Sequence, residues 1–530
     1  MAGSITLEVD GCAVEVPDDG ASLLEVLRDR LGVRSPKDGC SPQGQCGCCT
    51  VLVDGAPRVA CVTPVRRVAG RRVTTVAGLP AEERERWAGA FLATGASQCG
   101  FCTPGIVVRL SALAARSGGA GEEAAVERAL GAHLCRCTGW RTIVEAWAVA
   151  RSGGRTGAGA GPLSPPPGSR DLAAAAVRAT LEGGAPQVVG TDVVLGAGGF
   201  ADDTAPPDAL VAVLDGCGGW AVGETLHEAR AVAGKVQGRR STIDLRHPLE
   251  VPPGEWELTL RTTWVEPAYL ETDASWCEPG GEPATPLANG GAFGGKRDSA
   301  APAAARRLAD EHGRPVRVLL SREDTVRLGA KRPPVAAGVR ADGTGVLRVV
   351  RTPGIAAAVS VVAPGLVVEE VDVAGPPTSA ALRSAGQAEA LVLLAAVRGE
   401  SPVSVTTPAG ATAVAEVGDR DVHVRVKCGR PLDEVVLRSY CTGAAHMALG
   451  WVRREGIAVD EEGTVHDLTI RSFGILRAGE TPRVEVDVVA SDASPVNGSD
   501  AVFAAVAAAE WLRQGCPQDW PSSRARGGPK

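Results

Sequence analysis

Asp38-Gly-Cys-Ser-Pro-Gln-Gly-Gln-Cys-Gly-Cys-Cys-Thr50 is the stretch on which the fold of this chain turns. With Cys61 downstream, Cys40, Cys46 and Cys49 space as C-x5-C-x2-C-x11-C. A second set follows in Gln98-Cys-Gly-Phe-Cys-Thr-Pro-Gly105 and Leu134-Cys-Arg-Cys-Thr-Gly139, which contribute Cys99, Cys102, Cys135 and Cys137. The 530 residues hold 15 cysteines, ten of them within the first 137 positions. The opening Met1–Asp10 lacks the charged-then-apolar pattern of a secretory leader. An odd, clustered cysteine count then argues for metal ligation over a disulfide framework.

The first spacing is one residue longer than the plant-type ferredoxin pattern C-x4-C-x2-C…C and predicts a [2Fe–2S] cluster on Cys40, Cys46, Cys49 and Cys61. Such a cluster is anionic, and backbone N–H groups must approach its sulfurs closely. Gly39, Gly44 and Gly47 permit the tight, partly left-handed loop this requires. Cys48, between two ligands, is expected to point away as a bystander. In the second set a C-x2-C pair would also suit structural zinc, but the tight C-x-C partner is less usual for that ion. Both second-set pairs precede expected helix starts, whose N-termini favour negative charge.

Working outward, two alternating runs around Asp10-Gly11 read as a hairpin. Ser22–Leu31 reads as a helix with Ser22 as N-cap and Gly32 as stop. Strands are expected at 50–54, 59–62 and 73–76. From about residue 80 the period changes, and helices fit 80–94, 104–116, 122–133 and 141–151, the second opening on Thr103-Pro104. Residues 152–169 form a Gly/Pro-rich linker. Mixed strand and helix signals then run to 515, and 516–530 is expected to fray. The length predicts three or four domains. The expected division is 1–78, 79–151, linker 152–169, 170–515 and the tail.

Composition excludes several classes. At 44% hydrophobic and 22% charged residues the chain is not disordered, despite 67 Gly and 37 Pro. A net charge of -7 argues against a nucleic-acid partner. No apolar stretch approaches the roughly 18 residues of a membrane span. A cytoplasmic protein is expected. Aromatics are only 3%, so the cores should rest on Ala, Val and Leu.

On both cysteine motifs, residues 1–150 resemble the two-cluster iron–sulfur domain of the molybdenum hydroxylases, the family of xanthine dehydrogenase and aldehyde oxidoreductase. The resemblance implies a β-grasp ferredoxin-like domain followed by a four-helix [2Fe–2S] domain, hence an α+β multidomain fold. It also implies that Gln98 and Cys137 contact a molybdopterin and stand on the electron path.

The second half is similar to the family's molybdopterin-binding subunit in islands: Gly198-Gly-Phe-Ala-Asp-Asp203, Ala268-Tyr-Leu-Glu271, Gly290–Lys296, Leu319–Asp324 with Lys331-Arg-Pro333, Ala381–Gly386, and Cys428–Asp433 through Ser472–Ile475. The region 170–515 therefore reads as a mixed α/β, shortened version of that subunit. By this resemblance Phe293 and Gly294 would face the metal and Arg383 would be the loop arginine. Ala385 stands where the substrate-stacking aromatic would be. Three family parts are absent: the Gln-bearing segment, the Gly-Gln-Gly loop, and the Glu of Lys-Gly-x-Gly-Glu. In the last place stands Pro495-Val-Asn-Gly-Ser-Asp500.

Gly290–Lys296 also satisfies G-x4-G-K of a phosphate loop, but Arg297 replaces the Ser/Thr that would hold magnesium. A plain structural Gly-rich turn is the other reading. His133 and His446 read as packing or surface residues. Cys217, Cys277, Cys428, Cys441 and Cys516 read as inert. No flavin domain is visible, so no FAD is expected on this chain.

Three functions stay open. In the first, the chain is an electron-transfer component with two [2Fe–2S] clusters, partnered by an FAD-binding subunit and by a full-length molybdopterin-binding subunit. In the second, it is a self-contained hydroxylase of a purine, aldehyde or N-heterocycle. The third is a zinc-stabilised interaction scaffold.

Overall fold

Period-two alternation builds the first sheet. Ile5, Leu7 and Val9 point inward from the strand Ser4–Val9, which pairs with Cys12–Pro17 across Asp10 (φ 49°) and Gly11 (φ 86°). The computed structural model describes residues 3–117, 122–152, 170–234, 243–285 and 291–523. The linker beyond residue 152, Gly290 and residues 524–530 lie outside the described residues.

Five strands order as Cys12–Pro17, Ser4–Val9, Arg72–Thr74, Thr50–Val53 and Ala56–Val59. The first and last of them in chain order, Ser4–Val9 and Arg72–Thr74, pair in parallel inside the sheet. Ser22 caps the expected helix by accepting the Glu25 N–H at 3.2 Å. The helix widens over Val26–Arg30, where the Leu31 N–H reaches back five residues to Val26 O. The expected strand at 59–62 is instead the end of Ala56–Val59 followed by a tight turn, Ala60–Val62. That turn directs Cys61 inward, which a continuing edge strand would not.

Four helices follow: Ala81–Thr94, Thr103–Ser117, Glu123–Leu130 and Arg141–Arg151. The third stops three residues short of the expected 133. The chain must leave the helix there because the Leu134 N–H is claimed by Cys46 O at 3.0 Å.

Beyond residue 170 the described chain forms three four-stranded sheets. One holds Leu210–Leu214 and Val316–Leu319 as a parallel central pair. Another runs Leu366–Val371, Gly345–Val350, Val335–Val339, Leu258–Arg261, and the last runs Val403–Thr406, Thr412–Val417, Asp421–Lys427, Arg483–Val488. The helices Glu434–Arg453 and Ser499–Arg513 pack together beneath the last sheet. Ala501, Ala504, Ala505, Ala507 and Ala508 are wholly buried there, so small residues let the backbones approach.

As the composition implies, Ala, Val and Leu dominate the core, yet its largest pieces are tryptophans. Trp520 lies edge-on to both Trp451 (4.7 Å) and Trp511 (5.5 Å). This overturns the expectation that the chain frays from 516. Residues to 523 are docked, with the Arg261 N–H donating to Gln518 O at 2.6 Å and Trp520 fully buried.

Buried charge ties the two halves together. Arg28 donates to Asp202 (2.6 Å) and Asp203 (2.8 Å), and Lys37 also pairs with Asp203. The Ala-Asp-Asp motif at 201–203 is thus a docking clasp on the first sheet's helix and loop. Arg322, fully buried, donates to Gly39 O at 2.6 Å and Leu270 O at 2.7 Å.

Candidate metal centres and the adjoining cleft

All eight ligand-spaced cysteines are unbridged and buried. In the first set Cys40 touches both Cys46 and Cys61, and Cys61 touches Cys49. The Gln43 N–H points at Cys40 Sγ (3.2 Å) and the Cys61 N–H at Cys49 Sγ (3.4 Å). Cys48 does not point away. It is fully buried, and its sulfur lies against Cys46 because Gly39 leaves the space: a Cβ there would come within 3.2 Å of both sulfurs.

In the second set Cys99 and Cys137 stand 3.6 Å apart, and Cys102 contacts Cys135. Thr138 Oγ1 adds a contact to Cys135 Sγ at 3.1 Å. Two thiolates at ~2.3 Å from one tetrahedral metal stand about 3.7 Å apart, so the thiols are spaced for two ligands per metal. No three His, Cys, Asp or Glu side chains converge on a single-ion site among the described residues. The contacts run as a chain, Cys46–Cys40–Cys61–Cys49, in the first set and as the pairs Cys99–Cys137 and Cys102–Cys135 in the second, and four buried thiols in each set fit a [2Fe–2S] cluster.

The two sets meet through backbone. Gly105, in the first turn after Cys102, lies so close to Gly47 and Cys48 that a Cβ would sit 2.4 Å from Gly47 O. His133 packs over Gly47 with Nε2 3.2 Å from Thr50 Oγ1, and burial pushes it down to about 4. His446 shares Nε2 with Leu476 O at 3.0 Å and is likewise pushed down by burial to about 4. Both are packing residues.

Of the positions assigned by resemblance to molybdopterin, Phe293 and Arg383 line a small cleft together with Arg136, Glu266, Met447 and Trp451 among others. Most of their polar atoms are already engaged. Gln98 Nε2 donates to Cys137 O (3.0 Å) and to Ser439 Oγ (2.9 Å). Phe293 O accepts the Arg383 N–H at 2.9 Å, and a Cβ at Gly294 would lie 2.1 Å from Ala381 O. A Cβ at Gly291 would lie 3.2 Å from both Cys99 and Cys137 sulfurs, so the Gly-rich loop seals the second set directly. As the chain stands, the Phe293–Gly294 backbone is closed against the arginine loop, while Gln98 Oε1 and Arg383 Nε are buried without a hydrogen-bond partner, so these residues are only partly committed.

The cleft's charges are equally occupied. Arg383 lies 3.8 Å over the Phe293 ring and donates to Asp500 Oδ1 (3.2 Å) and Ser499 Oγ (2.9 Å), while Ser384 Oγ donates to Asp500 Oδ2 (2.8 Å). Asp500 is therefore a clamp on the arginine loop, and no free base. Arg332 grips Glu389 through two bonds of 2.7 and 2.8 Å. Lys331 pairs with Glu266 at 3.0 Å, and Arg136 with Glu455. Lys296 pairs with buried Glu271 at 2.6 Å, which removes it from any phosphate-loop role. Burial raises Glu271 to about 7.

Backbone strain collects at this cleft too: Phe293 (φ 48°), Arg383 (φ 45°) and Ser384 (φ 50°) are non-glycine residues in the left-handed region. Each costs about 1–3 kcal/mol, which only over-determined surroundings sustain. No sequence signal marked Arg136, Glu455 or Glu266 as cleft residues. They come from three separate segments, and only the fold joins them.

Residues 75–148 match the family described as [2Fe-2S] binding domain. One nicotinate dehydrogenase subunit of Pseudomonas putida is 39% identical over 141 residues, 26% of this chain and 87% of that protein. The chain belongs to the molybdenum hydroxylase family. One probable xanthine dehydrogenase subunit of Bacillus subtilis is 37% identical over 123 residues, 23% of this chain and 70% of that protein. Against xanthine dehydrogenase of Blastobotrys adeninivorans the identity is 34% over 165 residues, covering 28% of this chain and only 11% of that protein.

The whole fold also has a solved counterpart. Aldehyde oxidoreductase from Desulfovibrio gigas superposes with a TM-score of 0.72 at 13% identity, covering 98% of this chain and 99% of that one. The likeness is one of fold, a mixed α/β, multidomain architecture shared across the chain. None of the described helices is long and apolar enough to cross a membrane.

Proposed function

We propose that this molybdenum hydroxylase family member is an iron–sulfur electron-transfer component. It would hold one [2Fe–2S] cluster on Cys40, Cys46, Cys49 and Cys61 and another on Cys99, Cys102, Cys135 and Cys137. It would pass electrons singly from a partner's molybdopterin centre toward a flavin on another subunit. In the proposed division, 1–78 and 79–151 carry the clusters and 170–515 docks on the molybdopterin-bearing partner.

The carrying observation is that eight buried thiols gather in two sets of four mutually contacting side chains, while the charges of the cleft beside them are paired with one another. Two relatives named as subunits support an assembly with other chains. When bound, the clusters would supply one-electron storage. The protein's contribution is to bury the thiols, aim backbone N–H groups at them and hold Gly105 against Gly47, keeping the two sets in contact.

Metal and flavin analysis of the purified chain and of its native assembly tests this. The expected result is ~4 irons per chain with a red-brown spectrum, and molybdenum and flavin only in the assembly. Clearly fewer irons overturns it, and a colourless zinc protein establishes the scaffold reading. A self-contained hydroxylase is favoured by one observation, the persistence of the aldehyde oxidoreductase fold across the chain. Molybdenum bound to the isolated chain would establish that reading instead.

A further inference from the structure

Arg136 sits in the chain between Cys135 and Cys137, and its side chain runs from the second thiol set into the cleft. Its Nε donates to Pro267 O at 2.9 Å. Its two terminal nitrogens grip Glu455 Oε1 and Oε2 at 2.6 and 2.8 Å, a bidentate fork. The side chains are only 7% and 2% exposed, so water screens the pair little.

The place is built for this carboxylate. Glu455 follows the helix Glu434–Arg453, its N–H donating to Gly450 O at 2.8 Å. A Cβ at Gly450 would fall 2.2 Å from Glu455 Oε1, so only glycine admits the carboxylate there.

We infer that Glu455, acting through Arg136, sets the reduction potential of the second cluster. A [2Fe–2S] cluster gains one negative charge on reduction, and a guanidinium joined to two of its ligands by one residue each favours that state. Glu455 cancels the cation and holds the potential down. Net charge and hydrogen bonding around the sulfurs are established levers on such potentials. Among the cleft's cation–anion pairs, Arg136–Glu455 is the one whose arginine is directly bonded in the chain to two second-set cysteines, so its imbalance is the one placed to be felt at the sulfurs. Glu455 is on this account a positioning residue. The inference rests on the two-cluster reading above.

An EPR-monitored redox titration of the full chain tests it, the two signals being assigned with Cys61→Ser and Cys135→Ser. Glu455→Gln is expected to ease reduction of the second cluster by roughly tenfold or more in equilibrium constant, as an uncompensated buried charge requires, with the first cluster unmoved. Glu455→Asp keeps the charge, withdraws it by one methylene, and shifts the midpoint the same way by less; it serves alone if Glu455→Gln does not fold. An unmoved second midpoint in a chain holding ~4 irons overturns the inference, as does an equal shift of both clusters. A parent chain holding ~2 irons overturns the two-cluster reading instead.

Discussion

Around Cys99 and Cys137 the sulfurs face each other at 3.6 Å, with no salt bridge at them among the described residues and few donors committed to them. Beside them, at the cleft, Arg332, Arg383 and Arg136 each spend their guanidinium on an internal carboxylate. The two regions treat charge differently. The thiol pockets keep their lone pairs for something the chain itself does not supply. The cleft pairs its charges internally, yet leaves Gln98 Oε1, Arg383 Nε and Trp451 Nε1 buried without hydrogen-bond partners. A preorganised site is recognisable by what it leaves uncommitted, and by that measure the thiol pockets are open to a ligand and the cleft is only partly committed.

The sharpest break of this contrast is Cys135→Ala. On the proposed two-cluster reading it should remove the second cluster whole, halving iron and visible absorbance from ~4 irons per chain to ~2 while the first cluster's EPR signal survives. Next comes Glu389→Gln at the cleft. It leaves Arg332 buried against Trp451 (4.3 Å) without its partner, and removing one member of a buried pair costs about 3–5 kcal/mol. Denaturant unfolding should show that loss with iron content unchanged.

The pH response is smaller and joins both regions. His133 and His446 have folded values near 4 against 6.5 unfolded, so the unfolded chain binds more protons between those limits. Their stabilising contribution is complete above about 6.5 and is lost as pH falls toward 4, on the order of 3 kcal/mol for each. His446→Gln should flatten part of that slope in urea titrations run across the window. The smallest effect is expected for Asp500→Asn, whose carboxylate is 24% exposed. About 1 kcal/mol should be lost, with no change in iron, because a partly hydrated pair contributes little.

The thiol half is far more legible in the sequence than the cleft. Cysteine spacing is local: C-x2-C and C-x-C nearly define their own geometry, and the hairpin at Asp10-Gly11 and the helix at Ala81–Thr94 follow from turn chemistry and period. Cys48 defeats that reading because its direction depends on the absence of a side chain at Gly39, nine residues away. At the cleft the islands are visible, but their partners are not. Nothing in Asp500 announces that Arg383 will hold it, 117 positions upstream. The docked end at Trp520 escapes for the same reason: one aromatic in a polar Gly/Pro-rich tail matters only once Trp451 and Trp511 are beside it.

Gly291 and the helix Glu434–Arg453 have a bearing on biogenesis. The second thiol set is roofed by segments lying far downstream of it in the chain, Gly291 resting on two of its sulfurs. The helix Glu434–Arg453 closes in as well, a Cβ at Gly443 falling 1.7 Å from Cys137 O. Whatever these sulfurs hold is therefore walled in by chain made long after them, and loading them is coupled to the docking of the second half.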